Sequence, residues 1–585
     1  MRRIRDLLSK AKDCRIERFV YRSQRSANRL ALDPAGRTGR SEFMPLSLPA
    51  VPVPVSLRRL LPQASFVGCG EIIAVDVTDD SRQAGPNSVF AAIPGTKSDG
   101  TVFVPEAVAR GCTAVLASQP LANTSVRQCI VPDVRTAYAR LCQALYGHPA
   151  SRLQIAGVTG TNGKTTTAWM LRSLLSAAGR RCGLLGTVEY SDSAINEPAS
   201  LTTPDSKTAA IWFRRMLEAG CSHAAVELSS HALHQSRLAG VPLNAAVITN
   251  ITQDHFDYHA DIDEYTAAKA RIIEQVTAGG VIVINVDDPG ARRLLRTAER
   301  SARRIVTTSI VESRVEAEAS DATLRAIINS ESLTGTDFVV LSGDGEFNVS
   351  LPLPARHNVS NALAAIAVAR HFGVKPSAIV ESLAVLSSVP GRLEPIESAR
   401  GVRVFVDYAH TDDALRRVVD GLKSLTDHRV ICVFGAGGDR DRKKRPLLGE
   451  AAAHADFAIV TSDNPRTEPP QSIIEDIVAG FPIGFSQFHI EPDRRRAIEF
   501  ALSEAREGDC VLIAGKGHER EQIVGTERLP FDDRAVVQDL LSRTVPAPKI
   551  LQSDAHRSAS APMNVKCGVV DEVTSPQQTV RHRDS

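Results

Sequence analysis

The chain has 585 residues, with 69 lysines and arginines against 67 aspartates and glutamates, a formal net charge of only +2. That balance, with aromatics at 5%, argues against a protein that coats nucleic acid or stacks bases. No run approaches the ~18 apolar residues that cross a bilayer, and ten scattered cysteines without a close Cys-x-x-Cys pair argue against a zinc ribbon or a disulfide framework and fit a reducing cytoplasm.

The charge is unevenly spread. Residues 1–50 hold twelve basic and five acidic side chains, followed by Pro45, Pro49, Pro52 and Pro54, so the rest of the chain is mildly acidic. The composition predicts a basic, disordered extension over 1–54. A transit peptide and a true start at Met44 are the other readings, and the first 30 residues lack the apolar core of a secretory signal. From 55 to 148, short apolar runs at 71–77, 89–93, 114–117 and 128–131 alternate with helix-like stretches, predicting a small α/β domain. A larger α/β domain is expected over 149–390, with strands at 153–158, 224–228, 245–250 and 281–285 and a helix from 165 to 178. The spacing of these strands implies a parallel sheet. A third block over 391–545 carries strands at 403–406, 429–434, 457–461 and 510–514. Residues 546–585 turn polar and are expected to form a disordered tail.

The strongest local motif joins a strand to a helix: Gly157-Val158-Thr159-Gly160-Thr161-Asn162-Gly163-Lys164-Thr165-Thr166-Thr167. Glycines let the backbone curl so that N–H groups face phosphate oxygens, and the helix N-terminus adds a positive dipole end. Lys164 is placed to reach the β- and γ-phosphates, and the Thr165 hydroxyl to coordinate Mg²⁺. Val158 stands where the strict Walker spacing has its first glycine. Two further segments hold more polar groups than core packing needs. In Ala224-Ala225-Val226-Glu227-Leu228-Ser229-Ser230-His231 a carboxylate ends an apolar strand, where burial without a partner would cost several kcal/mol, so a cation is expected beside it. The other runs from Thr249 through Asp254, His255 and His259 to Lys269. His255 and His259 have helical spacing, but no third ligand at a convincing distance makes them a zinc pair.

Gly-Thr-Asn-Gly-Lys-Thr-Thr is similar to the loop of the Mur ligases of peptidoglycan synthesis and of folylpolyglutamate synthetase, which join an amine to a carboxylate at the expense of ATP. The two polar segments resemble the Mur ligase central domain, and the chain is identified as a member of that family over about residues 55–545. The resemblance implies a three-domain α/β fold: a small α/β N-terminal domain, a central P-loop-type domain with a mostly parallel sheet flanked by helices, and a Rossmann-like C-terminal domain. It implies ATP contacts from Gly160, Thr161, Asn162, Gly163, Lys164, Thr165, Thr166, Asn361, Arg392 and Asp407. Thr165, Glu227, His255 and Lys269 would be the Mg²⁺ ligands, with Lys269 carbamylated by CO₂ to an anion; Lys164, Glu227, His255 and Lys269 would be the catalytic set.

The same resemblance assigns both substrate ends. Ser81, Thr202, Thr203, Ser229, Gln235 and Arg237 match residues that hold a UDP-N-acetylmuramoyl-dipeptide. Arg440, Asp463, Asn464, Pro465, Arg466, Gly515 and Glu519 match contacts to meso-2,6-diaminopimelate. The choice of amino acid has a physical reading as well: a guanidinium at Arg466 can clamp the distal carboxylate that lysine lacks. Asp407-Tyr408-Ala409-His410-Thr411 follows the family pattern, with Asp412 where the family has proline. Gly435-Ala436-Gly437-Gly438-Asp439-Arg440 has an arginine in place of the third glycine of a dinucleotide fingerprint, so NAD is rejected. The implied activity is ATP-dependent addition of meso-diaminopimelate to the D-glutamate γ-carboxylate through an acyl phosphate, by a cytoplasmic monomer with no nucleic-acid partner and no membrane insertion. The rivals are a lysine-adding ligase of the same family, folylpolyglutamate synthetase, and a catalytically silent nucleotide-binding protein.

Overall fold

A computed structural model describes residues 52–543, apart from 96, 97, 123, 257 and 399. The expected tail and all but residues 52–54 of the expected extension lie outside the described residues, as do Thr96, Lys97 and Asp257 of the motif-bearing segments. Three sheets organise the rest. A five-stranded sheet runs in the order Ser65–Val67, Arg127–Ile130, Ala114–Ala117, Ser88–Ala91, Asp76–Thr78. Its first pairing is antiparallel and the others parallel. The apolar run at 71–77 divides into Ile73–Ala74 and Asp76–Thr78, which belong to different sheets. Val75 between them is 38% exposed, so the run does not bury as one strand.

The central sheet has eleven strands. Its middle is parallel: Cys182–Leu185, His223–Glu227, Gln154–Thr159, Leu243–Ile248, Val276–Asn285, Arg304–Val311 and Leu324–Ser332 lie side by side. Antiparallel strands close both edges, Glu189–Ser191 and Asn196–Pro198 on one side, Gly335–Ser342 and Gly345–Leu351 on the other. The interior strands read as apolar runs because helices cover both faces, and His223–Glu227 is buried at every position. Helices Lys164–Ala177 and Arg356–His371 share one apolar cluster through Leu171, Leu174, Leu363 and Ile366. Val276–Asn285 starts five residues earlier than its apolar stretch suggests. A register shift opposite Leu243 and Ala245 absorbs the additional length, at Gly280, where a Cβ would sit 2.8 Å from the Asn244 carbonyl oxygen.

The third sheet runs Glu394–Ile396, Arg403–Asp407, Cys510–Ala514, Val430–Phe434, Phe457–Val460, Phe488–Ile490, parallel except at its first pair. Its loops at the carboxyl ends of the strands face the central region. Arg392 donates from Nη2 to Thr165 Oγ1 at 3.0 Å, Asn162 Nδ2 and Thr252 Oγ1 both donate to Asp413 Oδ2, and Lys444 pairs with Asp254 at 2.7 Å. Ligands in open α/β sheets bind beyond the carboxyl ends of strands, and two such sheets converge here. None of the described helices is long and apolar enough to cross a membrane.

Candidate active site

The phosphate loop follows Gln154–Thr159 and opens helix Lys164–Ala177. Gly163 caps that helix at φ +84 with no side-chain cap, so its first N–H groups are left for a ligand. A Cβ there would stand 2.3 Å from Asn361 Oδ1, and one on Gly160 1.9 Å from Thr249 Oγ1. Thr249 and Asn250 hold the curl from behind: Asn162 N donates to Asn250 Oδ1 at 2.7 Å and Thr249 Oγ1 to the Asn162 carbonyl at 2.6 Å. Lys164 Nζ folds back onto the Gly160 and Thr161 carbonyls at 2.8 and 2.9 Å. Lys269, on helix Ile262–Glu274, also donates to the Gly160 carbonyl at 2.8 Å. Burial pushes the Lys164 ammonium below its ordinary range, and burial reinforced by Lys164 pushes Lys269 well below it. A lysine driven toward the neutral amine is the form that can take up CO₂.

Glu227 is 1% exposed at the end of its strand. In place of the expected cation it accepts from the Thr187 amide at 2.8 Å, the Thr187 hydroxyl at 2.8 Å and the Thr165 hydroxyl at 3.0 Å. Hydroxyl and amide donors meet its lone pairs, and no described lysine or arginine forms an ion pair with it. His255 sits in a loop at φ +57 rather than on a helix, although the His259 amide donates to its carbonyl at 2.9 Å as in a single helical turn. Burial lowers the His255 ring to about 4. Asp254 beside it is buried, which alone would raise its carboxyl, but His255 and Lys444 outweigh burial and hold it low.

These groups border a cavity of about 650 Å³. It is lined by Thr161, Asn162, Gly163, Lys164, Thr165, Thr166, Asn361, Arg392 and Asp407, and also by Thr202, Ser229, His255 and Lys269. Gly160 lies behind the lining. Asp407 accepts from the Leu393 and Ala409 amides at 2.6 and 2.7 Å, and burial raises its carboxyl. The Asp412 substitution is accommodated at the first position of helix Asp412–Lys423, capped by Thr411, where an acid suits the helix dipole as well as proline suits the backbone.

The other expected substrate residues fall elsewhere. Arg237 donates to the Thr203 carbonyl at 2.9 Å and to Gln235 at 3.0 Å, and burial lowers its guanidinium. The Thr203 hydroxyl is spent on the Glu227 carbonyl and the Ser229 amide. Ser81 donates to Glu106 at 2.6 Å in the N-terminal sheet region. The residues expected to contact the amino acid gather on three loops of the C-terminal region. Asn464 Nδ2 donates to Glu519 Oε2 at 2.9 Å, and Arg466 Nη1 donates to the Gly438 carbonyl at 2.7 Å. A Cβ on Gly437 would stand 2.9 Å from Arg466 Nη1 and 3.6 Å from Arg440 Cγ, so the two arginines flank one glycine. A Cβ on Gly515 would stand 2.7 Å from Asp463 Oδ2, and Pro465 presses its carbonyl against Gly438.

Comparison with known proteins decides what this arrangement is. Residues 76–147 match the Mur ligase family catalytic domain, 158–369 the Mur ligase middle domain, and 391–517 the Mur ligase glutamate ligase domain. The UDP-N-acetylmuramoyl-L-alanyl-D-glutamate–2,6-diaminopimelate ligase of Gloeobacter violaceus is 42% identical over 81% of this chain and 95% of its own length. That of Solibacter usitatus is 41% identical over 80% and 94%. The chain belongs to the Mur ligase family. A solved structure of a ligase with the same description superposes with a TM-score of 0.59 at 33% identity, over 84% of this chain and 99% of that one. The MurF ligase of Thermotoga maritima, solved with ADP, matches at a TM-score of 0.52 over 80% of this chain and 96% of that one. At 20% identity it speaks for the fold alone.

Within this Mur ligase chain several site residues carry no sequence signal. Thr187 follows a strand in an unremarked Gly-Thr pair, yet it supplies two of the three donors to Glu227. Gly186 before it leaves no room for a Cβ, which would lie 2.3 Å from Glu227 Oε1. Tyr265 hydrogen-bonds Thr161 at 3.1 Å and stacks under Lys269, whose Nζ is 4.4 Å from the ring centroid. Tyr408, by contrast, falls within the Asp407–Thr411 motif; it lies between the two halves of the site, with Arg392 over its ring at 4.5 Å and His518 beside it at 5.0 Å.

Proposed function

We propose that this protein is an ATP-dependent ligase that adds meso-2,6-diaminopimelate to the D-glutamate γ-carboxylate of UDP-N-acetylmuramoyl-L-alanyl-D-glutamate. Relatives named for this reaction, at about 40% identity over most of the chain, support it. The observation that carries the choice of amino acid is Arg466: its guanidinium bonds backbone carbonyls, has no carboxylate partner among the described residues, and sits two residues from Asn464 of the Asn464–Glu519 pair. A distal carboxylate would complete it, and a distal ammonium suits Glu519.

In this reading the phosphate-loop amides and Lys164 hold the nucleotide, and Arg392 and Asp407 border it from the C-terminal side. The D-glutamate carboxylate oxygen attacks the γ-phosphorus, ADP leaves, and the amine of diaminopimelate attacks the resulting acyl carbon. The amine gives up a proton and phosphate departs as the amide forms. Arg392 donates to the loop's Thr165, so closure of the C-terminal domain brings amine and acyl phosphate into one water-poor space.

The donors fit magnesium. Thr165 and Glu227 bring two hard oxygen atoms within 3.0 Å of each other, and Mg²⁺ takes few protein ligands beside phosphate oxygens and water. Thr165, Glu227, His255 and a carbamylated Lys269 would hold it; when bound it would offset phosphate charge. Ser81, Thr202, Ser229 and Arg237 are assigned to the UDP-linked substrate. The protein is read as a monomer, and nucleotide-linked substrates support a cytoplasmic location.

The test is ATP-dependent phosphate release with the UDP-dipeptide and either meso-diaminopimelate or lysine. The wild-type enzyme is expected to favour diaminopimelate by at least about a hundredfold, and Arg466→Ala to lose most of that preference. Equal rates in the wild type would remove the amino-acid assignment, and no rate with either would remove the ligase.

A further inference from the structure

Gly515-Lys516-Gly517 has the look of another anion-binding turn, but the lysine points the other way. Gly515 at φ +110 and Gly517 at φ +52 turn the chain so tightly that the side chain between them goes inward, and Lys516 is fully buried. A Cβ on Gly517 would meet Tyr408 Cβ at 2.7 Å, so the turn depends on glycine there. An ammonium has three donors. All three of Lys516 are filled: Asn464 Oδ1 at 3.1 Å, Glu519 Oε2 at 3.0 Å and the Glu521 carbonyl at 2.7 Å. It cannot touch a substrate without giving one of them up.

Those partners fix what the neighbouring side chains present. Asn464 Oδ1 accepts from both Lys516 and the Ile523 amide, so the amide group has one orientation, with Nδ2 toward Glu519 Oε2. Two donors occupy Glu519 Oε2, while no described residue donates to Oε1. Asp463, buried beside Gly515, lies in the field of the same lysine and of Arg494. Arg494 in turn is fully buried, bonded to Asp533 at 2.7 and 2.8 Å and to the Ala514 carbonyl at 2.9 Å, which anchors the base of the 515–519 loop. One buried ammonium therefore bonds the Glu519 carboxylate and lies in reach of the field of a second, Asp463.

We propose that Lys516 is a positioning residue that sets amino-acid selectivity: it locks the Asn464 amide and takes one oxygen of Glu519, leaving the other for a distal ammonium. The proposal rests on the ligase reading above. By offsetting one of two carboxylates it keeps the pocket suited to a distal end bearing both an ammonium and a carboxylate. Without it, uncompensated negative charge repels the carboxylate of diaminopimelate more than it disturbs lysine, which has none.

The experiment compares wild type, Lys516→Met and Lys516→Gln in the full chain, measuring kcat and KM for meso-diaminopimelate, lysine and ATP, with thermal melting as a check on folding. The expected result is a rise in KM for diaminopimelate of about tenfold, the worth of one charge-assisted hydrogen bond. ATP KM should stay within about twofold, and the diaminopimelate-to-lysine ratio of kcat/KM should fall about tenfold in both variants. A general loosening would lower both amino acids alike, so an unchanged ratio overturns the proposal. Loss of cooperative melting in both variants also overturns it, because Lys516 would then be a fold residue. A wild type inactive with both amino acids strikes the ligase reading itself, whereas an active, selective wild type with an unchanged variant ratio strikes Lys516 alone.

Discussion

The two halves of the site handle charge by different means. On the nucleotide side, one continuous stretch from Gly157 to Thr167 makes the cradle out of backbone, and its shape is enforced by close approach: Gly160 against Thr249, Gly163 against Asn361. On the amino-acid side, three loops after three strands meet, at 435–440, 463–466 and 515–519. Their shape is enforced by buried charge. Arg445, 1% exposed, binds Glu468 through both oxygens at 2.7 and 3.0 Å, and Glu468 in turn accepts from the Asp439 amide at 2.6 Å. Phosphate is common to all nucleotides and can be read by amides, whereas a particular diamino acid has to be read by side chains whose orientation is held from behind.

The contrast can be broken most severely at Lys269. Lys269→Ala should reduce phosphate release by about 10²–10³-fold, since it removes an anion proposed beside the transferring phosphoryl group, and short carboxylates added to the assay should restore part of it. Full activity without the lysine, or none regained with carboxylates, would mean that the nucleotide side works without a carbamate.

Paired glycine substitutions sharpen the comparison at moderate cost. Gly163→Ala places a Cβ 2.3 Å from Asn361 Oδ1 at φ +84. Left-handed backbone costs a non-glycine residue roughly 1–2 kcal/mol before that clash is counted. ATP KM should therefore rise about tenfold or more. Gly437→Ala meets the end of the Arg466 side chain at 2.9 Å and Arg440 only at ordinary contact distance, 3.6 Å. It should raise KM for diaminopimelate severalfold and leave ATP KM unchanged. Equal effects on both substrates from either variant would show that the halves are not separable.

The smallest effect is one the two halves share. His255 and His518 are both half-buried, and desolvation depresses them from 6.5 to about 4. Above pH 6.5 neither folded nor unfolded ring is protonated. Below it the unfolded chain takes up protons that the folded rings refuse, so stability falls as pH drops from about 6.5 toward 4. Melting temperature should decline by a few degrees over that window, and His518→Gln should flatten part of the slope. An unaltered slope would assign it to His223 and His357, whose rings desolvation also lowers to about 4.

The sequence by itself determined the elements whose pattern is local. Interior strands such as Ala114–Ala117 and Cys510–Ala514 coincide with their apolar runs, because a strand covered on both faces is continuous in hydrophobicity. The phosphate loop was legible for the same reason, with cradle, lysine and helix start contiguous. The three strands from Leu324 to Leu351 are not legible in the pattern: toward the sheet edge only one face is covered, so Leu324–Ser332 alternates and then turns wholly exposed. The tertiary structure alone decided how Glu227 is satisfied, since Thr187 reaches it from a neighbouring strand end forty residues away. It also decided which way Lys516 faces. A glycine-flanked lysine reads identically whether it meets a phosphate or an asparagine. The choice is made by left-handed glycines and by acceptors fifty-two residues away, at Asn464, which pattern along the chain cannot bring together.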